Sequence, residues 1–222
     1  MLVAAGNGER AGGVRKQYRP IAGVPMVLRA LRPFVAHPEV LHTVIALPPE
    51  DVAAPPAFLA DLAGPTLTIV GGGAERSDSV AAGLRALVAE CTVVLVHDAA
   101  RPFPDADVIG AVIREARAGH GAVAAVPVTD TVKEVAAGEP RRVLRTVPRD
   151  ALWRAQTPQG FPRELLVAAH ALGRRTGDGA TDDAALVERM GGEVRIVPDS
   201  PRNMKVTTAE DLEWAELWAA RR

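Results

Sequence analysis

The run Val93-Val94-Leu95-Val96 constrains this chain more than any other segment. Consecutive apolar residues, mostly β-branched, leave no face for water, so the segment reads as a strand buried on both sides, as in a parallel sheet covered by helices. The rest of the chain keeps that rhythm. Leu2 to Ala5 reads as the end of a buried strand, and further strands are expected at about 41–47, 67–70, 122–126 and 193–197. Between them, apolar residues recur at helical spacing. Met26, Val27, Ala30, Leu31, Phe34 and Val35 mark the first helix, with Pro25 at its start and Pro33 weakening its end. Other helices are expected at about 77–88, 105–118, 162–172, 182–190 and 208–220, the last opening with Thr207 and Glu210 at capping-box spacing. Strand then helix, repeated, implies an α/β fold with a mostly parallel sheet and helices on both faces. A length of 222 residues suits one domain, 1–222.

One stretch breaks the rhythm. Thr131 to Val135 and Val143 to Val147 are β-like and are separated by the turn residues Gly138-Glu139-Pro140, so they read as a hairpin. A lone two-stranded hairpin is marginal in water. This arm, at about 129–157, is therefore expected to pack on a partner, most simply a second copy of the chain.

Composition excludes several classes of function. Lys+Arg is 26 against Asp+Glu 27, a net charge of -1, so no global field favours nucleic acid or an anionic membrane. The single cysteine, Cys91, excludes a disulfide framework and a multi-cysteine zinc site. No apolar run reaches membrane-spanning length, and the opening MLVAAGNGER has neither a basic leader nor a long apolar stretch, so a cytoplasmic protein is expected. Only three of the 26 basic residues are lysines, Lys16, Lys133 and Lys205. In an arginine-rich chain, each is a candidate for a task that needs a compact ammonium.

The first loop after a strand, Gly6-Asn7-Gly8-Glu9-Arg10-Ala11-Gly12-Gly13, is glycine-rich, which lets backbone N–H groups approach a phosphate. From Arg10 to Pro38 there is no Asp or Glu, while Arg10, Arg15, Lys16, Arg19, Arg29 and Arg32 are all cationic. That imbalance favours a polyanionic ligand. A P-loop is excluded because no Gly-Lys pair occurs, and the dinucleotide fingerprint fails in the register of its third glycine and in the missing downstream acid. A nucleoside triphosphate held through its phosphates is the better reading.

AAGNGERAGG with Lys16-Gln17-Tyr18 resembles the signature loop of sugar-phosphate nucleotidylyltransferases. GGGAERSDSV (71–80), VHDAARP (96–102), PVTDTVKEV (127–135), TVPRDALWRAQTPQGF (146–161), TDDAALVE (181–188) and NMKVTT (203–208) narrow the resemblance. In this order the motifs are similar to those of the 2-C-methyl-D-erythritol 4-phosphate cytidylyltransferase family of the non-mevalonate isoprenoid route. The resemblance implies a Rossmann-like α/β domain, a homodimer joined by the β-arm, and CTP with Mg²⁺. It also implies residue roles. Arg10 and Lys16 would stabilise charge on the triphosphate; Arg149, carried toward the neighbouring subunit, and Lys205 would position the sugar phosphate. Ala4, Ala5, Gly6 and Gly8 would line the nucleotide loop, and Gly73 and Ser79 would hold cytosine. Asp98 would lie beside nucleotide and metal, Arg101 would contact the sugar phosphate, and Thr131, Thr157 and Thr181 would be polar substrate contacts.

The chemistry suits a chain without a Ser/His/Asp or His/Glu constellation. A phosphomonoester has its second pKa near about 6, so the attacking phosphate needs no general base at neutral pH. The catalyst must gather anions and stabilise growing charge. His97 reads as packed or bonded at a strand end, Lys133 as a solvated arm residue, Cys91 as structural, and Trp153, Trp214 and Trp218 as packing residues. With aromatic residues at 4%, cytosine is expected to be read by backbone and hydroxyl groups. Two other readings stay open: a ribitol 5-phosphate acceptor, and a catalytically silent nucleotide-binding regulator.

Overall fold

The computed structural model describes residues 1–6, 15–176 and 180–221. Its elements run β1 (Leu2–Val3), a 3-10 turn (Lys16–Tyr18), β2 (Pro20–Ile21), β3 (Val24–Pro25), α1 (Met26–Val35), β4 (Thr43–Leu47), α2 (Pro49–Val52), α3 (Ala57–Ala60) and β5 (Leu67–Gly71). They continue with α4 (Arg76–Ala86), β6 (Val93–Asp98), α5 (Ala106–Arg117), β7 (Gly121–Pro127), β8 (Val132–Val135), β9 (Val143–Val147) and β10 (Trp153–Pro162). The last are α6 (Arg163–Thr176), α7 (Asp183–Arg189), β11 (Val194–Pro198) and α8 (Ala209–Ala219). A seven-stranded sheet, ordered β11-β7-β10-β6-β1-β4-β5, forms the centre, and β8 with β9 makes the expected hairpin. The Rossmann-like α/β expectation is correct.

Pleating sends alternate residues of β6 to opposite cores. Val94 and Val96 pack with Val80 and Leu84 of α4, Leu166 of α6 and Val187 of α7. Leu95 faces the other way, onto Ile109, Val112 and Ile113 of α5. On that same side Val27, Leu28 and Leu31 of α1 cover Leu2, Ile45 and Leu47. Burying such aliphatic side chains is worth about 1.5–3 kcal/mol each, so the continuous apolar run holds both layers of helices to one strand.

The sheet departs from the sequence reading at β10, which runs antiparallel between β6 and β7. Val93–Asp98 therefore has one parallel neighbour, β1, and one antiparallel one. Proline argues against a central strand because it cannot donate to the ladder. Here Pro158 is tolerated because the pairing register shifts between Ala155 and Gln159. That irregularity takes Gln156 and Thr157 out of regular pairing beside the end of β6. The terminal helix is capped one residue later than expected, by Thr208 with Asp211 in place of Thr207 with Glu210. Asp211 accepts from the backbone N–H groups of both Thr207 and Thr208, at 2.7 and 2.8 Å. Trp153 and Trp214 are exposed and do not pack as expected, whereas Trp218 joins the α8 core under the guanidinium of Arg202. No helix among the described residues is long and apolar enough to cross a membrane.

β10 also requires a residue without a side chain. A Cβ at Gly160 would lie 2.4 Å from Val112 Cγ1 and 2.9 Å from Leu95 Cδ2, both buried against α5. Gly160→Ala should lower stability by about 1–3 kcal/mol through overpacking, read as a lower urea midpoint at unchanged slope. An unshifted midpoint would contradict this packing.

Candidate active site

The strand order reverses direction at β1, which has β6 on one side and β4 on the other. In open α/β sheets this is where a crevice opens beyond the carboxyl ends of the strands. A cleft of about 410 Å³ lies there, lined by Ala4, Ala5, Gly6, Lys16, Gly73, Arg76, Ser79, Asp98 and Lys205 among others. A second lobe of about 240 Å³ is lined by Arg101, Gln156, Thr157, Gln159, Thr181 and Asp182. Arg76, Asp98 and Lys205 line both lobes and stand at their junction.

Local structure brings each group there. The loop from β5 to α4 passes so close to the first strand that a Cβ on Gly72 would lie 2.2 Å from Ala5 Cβ. Ser79 then accepts the Gly73 N–H at 3.2 Å and donates to the Glu75 carbonyl at 3.3 Å, fixing the loop from the first turn of α4. Lys16 opens the 3-10 turn, anchored by the buried Gln17 and by Tyr18, whose hydroxyl donates to Asp51 at 2.7 Å. Lys205 sits on a segment tied to the end of β6 by the Val206 N–H donating to the Ala100 carbonyl at 2.8 Å.

Asp98 ends β6 with both carboxylate oxygens engaged, Oδ1 by Arg76 Nε at 3.1 Å and Oδ2 by Lys205 Nζ at 2.7 Å. Burial alone would raise its pKa, but the two cations more than offset this and hold the carboxyl well below the usual carboxylate range. Arg76 also donates to Asp183 at 2.6 Å, and Asp183 bonds His170 at 2.9 Å on its other oxygen. Burial, followed by the charge of Lys205, pushes Lys16 below the ordinary lysine value. Two ammonium groups that repel across a partly dry cleft make a site that gains from an anion between them.

The second lobe is held by a hydrogen-bonded lattice. Arg101 Nη1 and Gln156 Nε2 both donate to the Asn203 carbonyl, at 2.8 and 3.0 Å. Asn203 Nδ2 donates to the Thr157 carbonyl at 2.7 Å and to Asp199 at 2.6 Å. The segment that carries Lys205 is thus pinned to β10. The Asp98 N–H donates to Thr157 Oγ1 at 3.1 Å, and His97 lies between Thr157 Oγ1 at 2.9 Å and the Arg101 carbonyl at 3.0 Å. A carbonyl only accepts, so His97 Nε2 donates to it, and neutral Nδ1 accepts the Thr157 hydroxyl proton. His97 is structural, as its position at a strand end suggested.

Several sequence expectations separate here. Lys16, Lys205, Asp98, Ala4, Ala5, Gly6, Gly73 and Ser79 share the larger lobe, and Arg101, Thr157 and Thr181 the smaller one. Gly8 and Arg10 lie outside the described residues. Arg149 and Thr131 are exposed at the base of the arm and line neither lobe; Arg149 donates to the Thr129 carbonyl. The basic stretch is also divided. Of its described members only Lys16 lines the cleft, while Arg15 pairs with Glu50 and Arg29 donates to the Ile21 carbonyl at 2.7 Å. Lys133 bonds Thr146 across the hairpin. The sequence reading missed Arg76, Asp183, Gln156 and Asn203, although all four fall inside quoted motifs as ordinary polar residues.

Among the described residues no three His, Cys, Asp or Glu side chains converge on a metal position. Asp98 is the carboxylate at the lobe junction, and each oxygen keeps a lone pair beyond the bond it accepts. One hard ligand suits Mg²⁺, which keeps most of its shell in waters and phosphate oxygens.

Burial pushes His97 down to about 4. Between pH 6.5 and 4 the unfolded chain therefore takes up a proton that the folded chain refuses, and stability falls as pH drops through that window, by about 3 kcal/mol. Urea unfolding at a series of pH values should show this loss, and His97→Gln should flatten it; equal slopes in the two proteins would contradict the assignment.

Comparison with known proteins agrees with this geometry. The family model described as "IspD: 2-C-methyl-D-erythritol 4-phosphate cytidylyltransferase" matches residues 1–221. A "Bifunctional enzyme IspD/IspF" of Solidesulfovibrio magneticus is 46% identical over 222 residues, covering 96% of this chain and 54% of the relative. The chain thus spans about half the length of that two-part protein. The 2-C-methyl-D-erythritol 4-phosphate cytidylyltransferase of Salinibacter ruber is 43% identical over 220 residues, covering 98% of this chain and 91% of the relative. The crystal structure of the Thermus thermophilus enzyme of that name superposes with a TM-score of 0.81 at 36% identity, covering 99% of this chain and 97% of the other. Fold, cleft and sequence lead to one conclusion: the chain belongs to the 2-C-methyl-D-erythritol 4-phosphate cytidylyltransferase family.

Proposed function

We propose that the chain transfers the cytidylyl group of CTP to 2-C-methyl-D-erythritol 4-phosphate, giving 4-diphosphocytidyl-2-C-methyl-D-erythritol and pyrophosphate. The observation that carries this reading, beside family membership, is the pair of lobes meeting at Arg76, Asp98 and Lys205. The larger lobe takes the nucleotide, with its base toward Gly73 and Ser79 and its phosphates toward Lys16. The smaller one takes the sugar phosphate against Arg101, Thr157 and Thr181. The α-phosphorus then lies at the junction. A phosphate oxygen of the acceptor forms the new P–O bond as the bond to pyrophosphate breaks, and no proton transfer is needed.

The chain's own groups supply position and charge. Lys16 offsets charge that builds on the leaving pyrophosphate, and the resemblance to the family assigns Arg10 the same role. Lys205 brings the acceptor phosphate to the junction, where repulsion between two anions would otherwise keep them apart. Mg²⁺, held from the protein side by Asp98, would supply further charge neutralisation on the triphosphate.

The proposal includes a homodimer. The arm exposes Val135, Val143 and Leu144, at 44%, 54% and 51%, more apolar surface than a free hairpin in water would be expected to show. Arg149 at its base lines neither lobe of the chain's own cleft and is read as serving the partner's. The fold reading of one domain, 1–222, goes with this assembly, and a cytoplasmic setting with its soluble substrates.

Pyrophosphate release from CTP, with methylerythritol phosphate and ribitol 5-phosphate supplied side by side, tests the reading. Lys16→Ala and Lys205→Ala should each lower kcat/KM by about 10²–10³ without changing the circular dichroism spectrum, and mixed Lys205→Ala and Arg149→Ala subunits should recover activity. Turnover with ribitol phosphate alone, or CTP binding without pyrophosphate release, would refute it.

A further inference from the structure

Arg76, in the first turn of α4, lies inside a row of alternating hydrogen-bond donors and acceptors: His170, Asp183, Arg76, Asp98 and Lys205. Successive contacts are 2.9, 2.6, 3.1 and 2.7 Å. The two ends of the row differ in exposure. The side chains of His170 and Asp183 are 2% and 1% accessible, whereas that of Lys205 is 45% accessible. Only the lysine end is free to turn toward a substrate.

An ammonium locked to a buried carboxylate is poorly placed to receive a phosphate. If Lys205 turns to the acceptor, Asp98 loses that partner, and a buried carboxylate left without any partner is strongly disfavoured. Arg76 removes the obstacle because it occupies the other oxygen of Asp98. Its Nη1 is fixed by Asp183, which His170 holds from behind, so the guanidinium is held at two points where it borders the cleft. A planar fork spans two carboxylates in this way, which an ammonium cannot do with the same geometry.

We infer that Arg76 is a positioning residue, the standing counter-ion of Asp98, which frees Lys205 to bind substrate phosphate, and that Asp183 and His170 anchor it. The inference rests on the cleft being the cytidylyl-transfer site.

Arg76→Gln alone would strand the Asp183 charge and could unfold the chain, so the comparison is made in an Asp183→Asn background. Against Asp183→Asn, the double variant Arg76→Gln/Asp183→Asn should show KM for the sugar phosphate raised about tenfold or more, with kcat changed far less. Arg76→Lys in the same background should recover most of the loss. Binding of inorganic phosphate, which stands in for the acceptor's phosphate group, gives by calorimetry a readout that needs no turnover. There, Arg76→Gln should weaken binding when Asp98 is present and have little effect once Asp98→Asn has removed the charge that Arg76 neutralises. Equal weakening in both backgrounds would mean that Arg76 touches the anion itself and would overturn the inference. So would a lowered Tm with unchanged KM and binding, which would make Arg76 a structural tie only. A wild-type protein that binds phosphate with this coupling yet never releases pyrophosphate from CTP would refute the proposed activity and leave the positioning role standing.

Discussion

A carboxylate shared between two cations organises this molecule. Asp98 stands at the end of the strand that both helix layers pack against, and its contacts reach Arg76 on α4 and Lys205 on the segment before α8. Through Arg76 the same contact reaches Asp183 and so ties α7 to the cleft. Without Asp98, Lys16, Arg76 and Lys205 would bring three positive charges to one cavity, and the Asp183 carboxylate behind Arg76 would offset only part of their repulsion. With it, the resting cleft is poised: its cations are close enough to bind a polyanion, and their charge is partly satisfied until one arrives.

The fold makes that contact possible by separating rigidity from chemistry. β6 is fixed on both faces by apolar packing, so its last residue emerges at a defined point. The switch in strand order at β1 opens space beside that point, and the glycines before α4 let the backbone close over the first strand. The antiparallel β10 supplies the other wall. Its irregular pairing around Thr157 gives a side chain that caps the Asp98 backbone, a buried histidine that orients the threonine, and an asparagine that pins the Lys205 segment. The polar lattice converges on the position of one lysine.

The alternation of strands and helices was legible in the sequence because each element buries enough apolar surface to imprint its own period. β10 was not, because its Thr-Pro-Gln-Gly centre carries the residues that usually end strands; only the break in pairing explains how Pro158 fits, and only the closeness of Val112 explains Gly160. Within the cleft, Lys16 and Lys205 stood out because lysine is rare in this chain. Arg76 and Asp183 did not. Each is one charged residue among many, and the pairing between them joins positions 107 apart, as does the pairing of Asp98 with Lys205. Charge density along the chain proved a weaker guide than rarity. The basic stretch from Arg10 to Arg32 looked like one anion site, yet its arginines are partly spent on Glu50 and on backbone carbonyls.

The most direct test of the central claim is a crystal structure of the protein with CTP and Mg²⁺. The account predicts cytosine between Gly73 and Ser79, the triphosphate turned toward Lys16, the α-phosphorus within reach of the Asp98 junction, and Arg76 still bonded to Asp98. A nucleotide bound elsewhere, or one whose phosphates point away from Lys16 and Asp98, would contradict it.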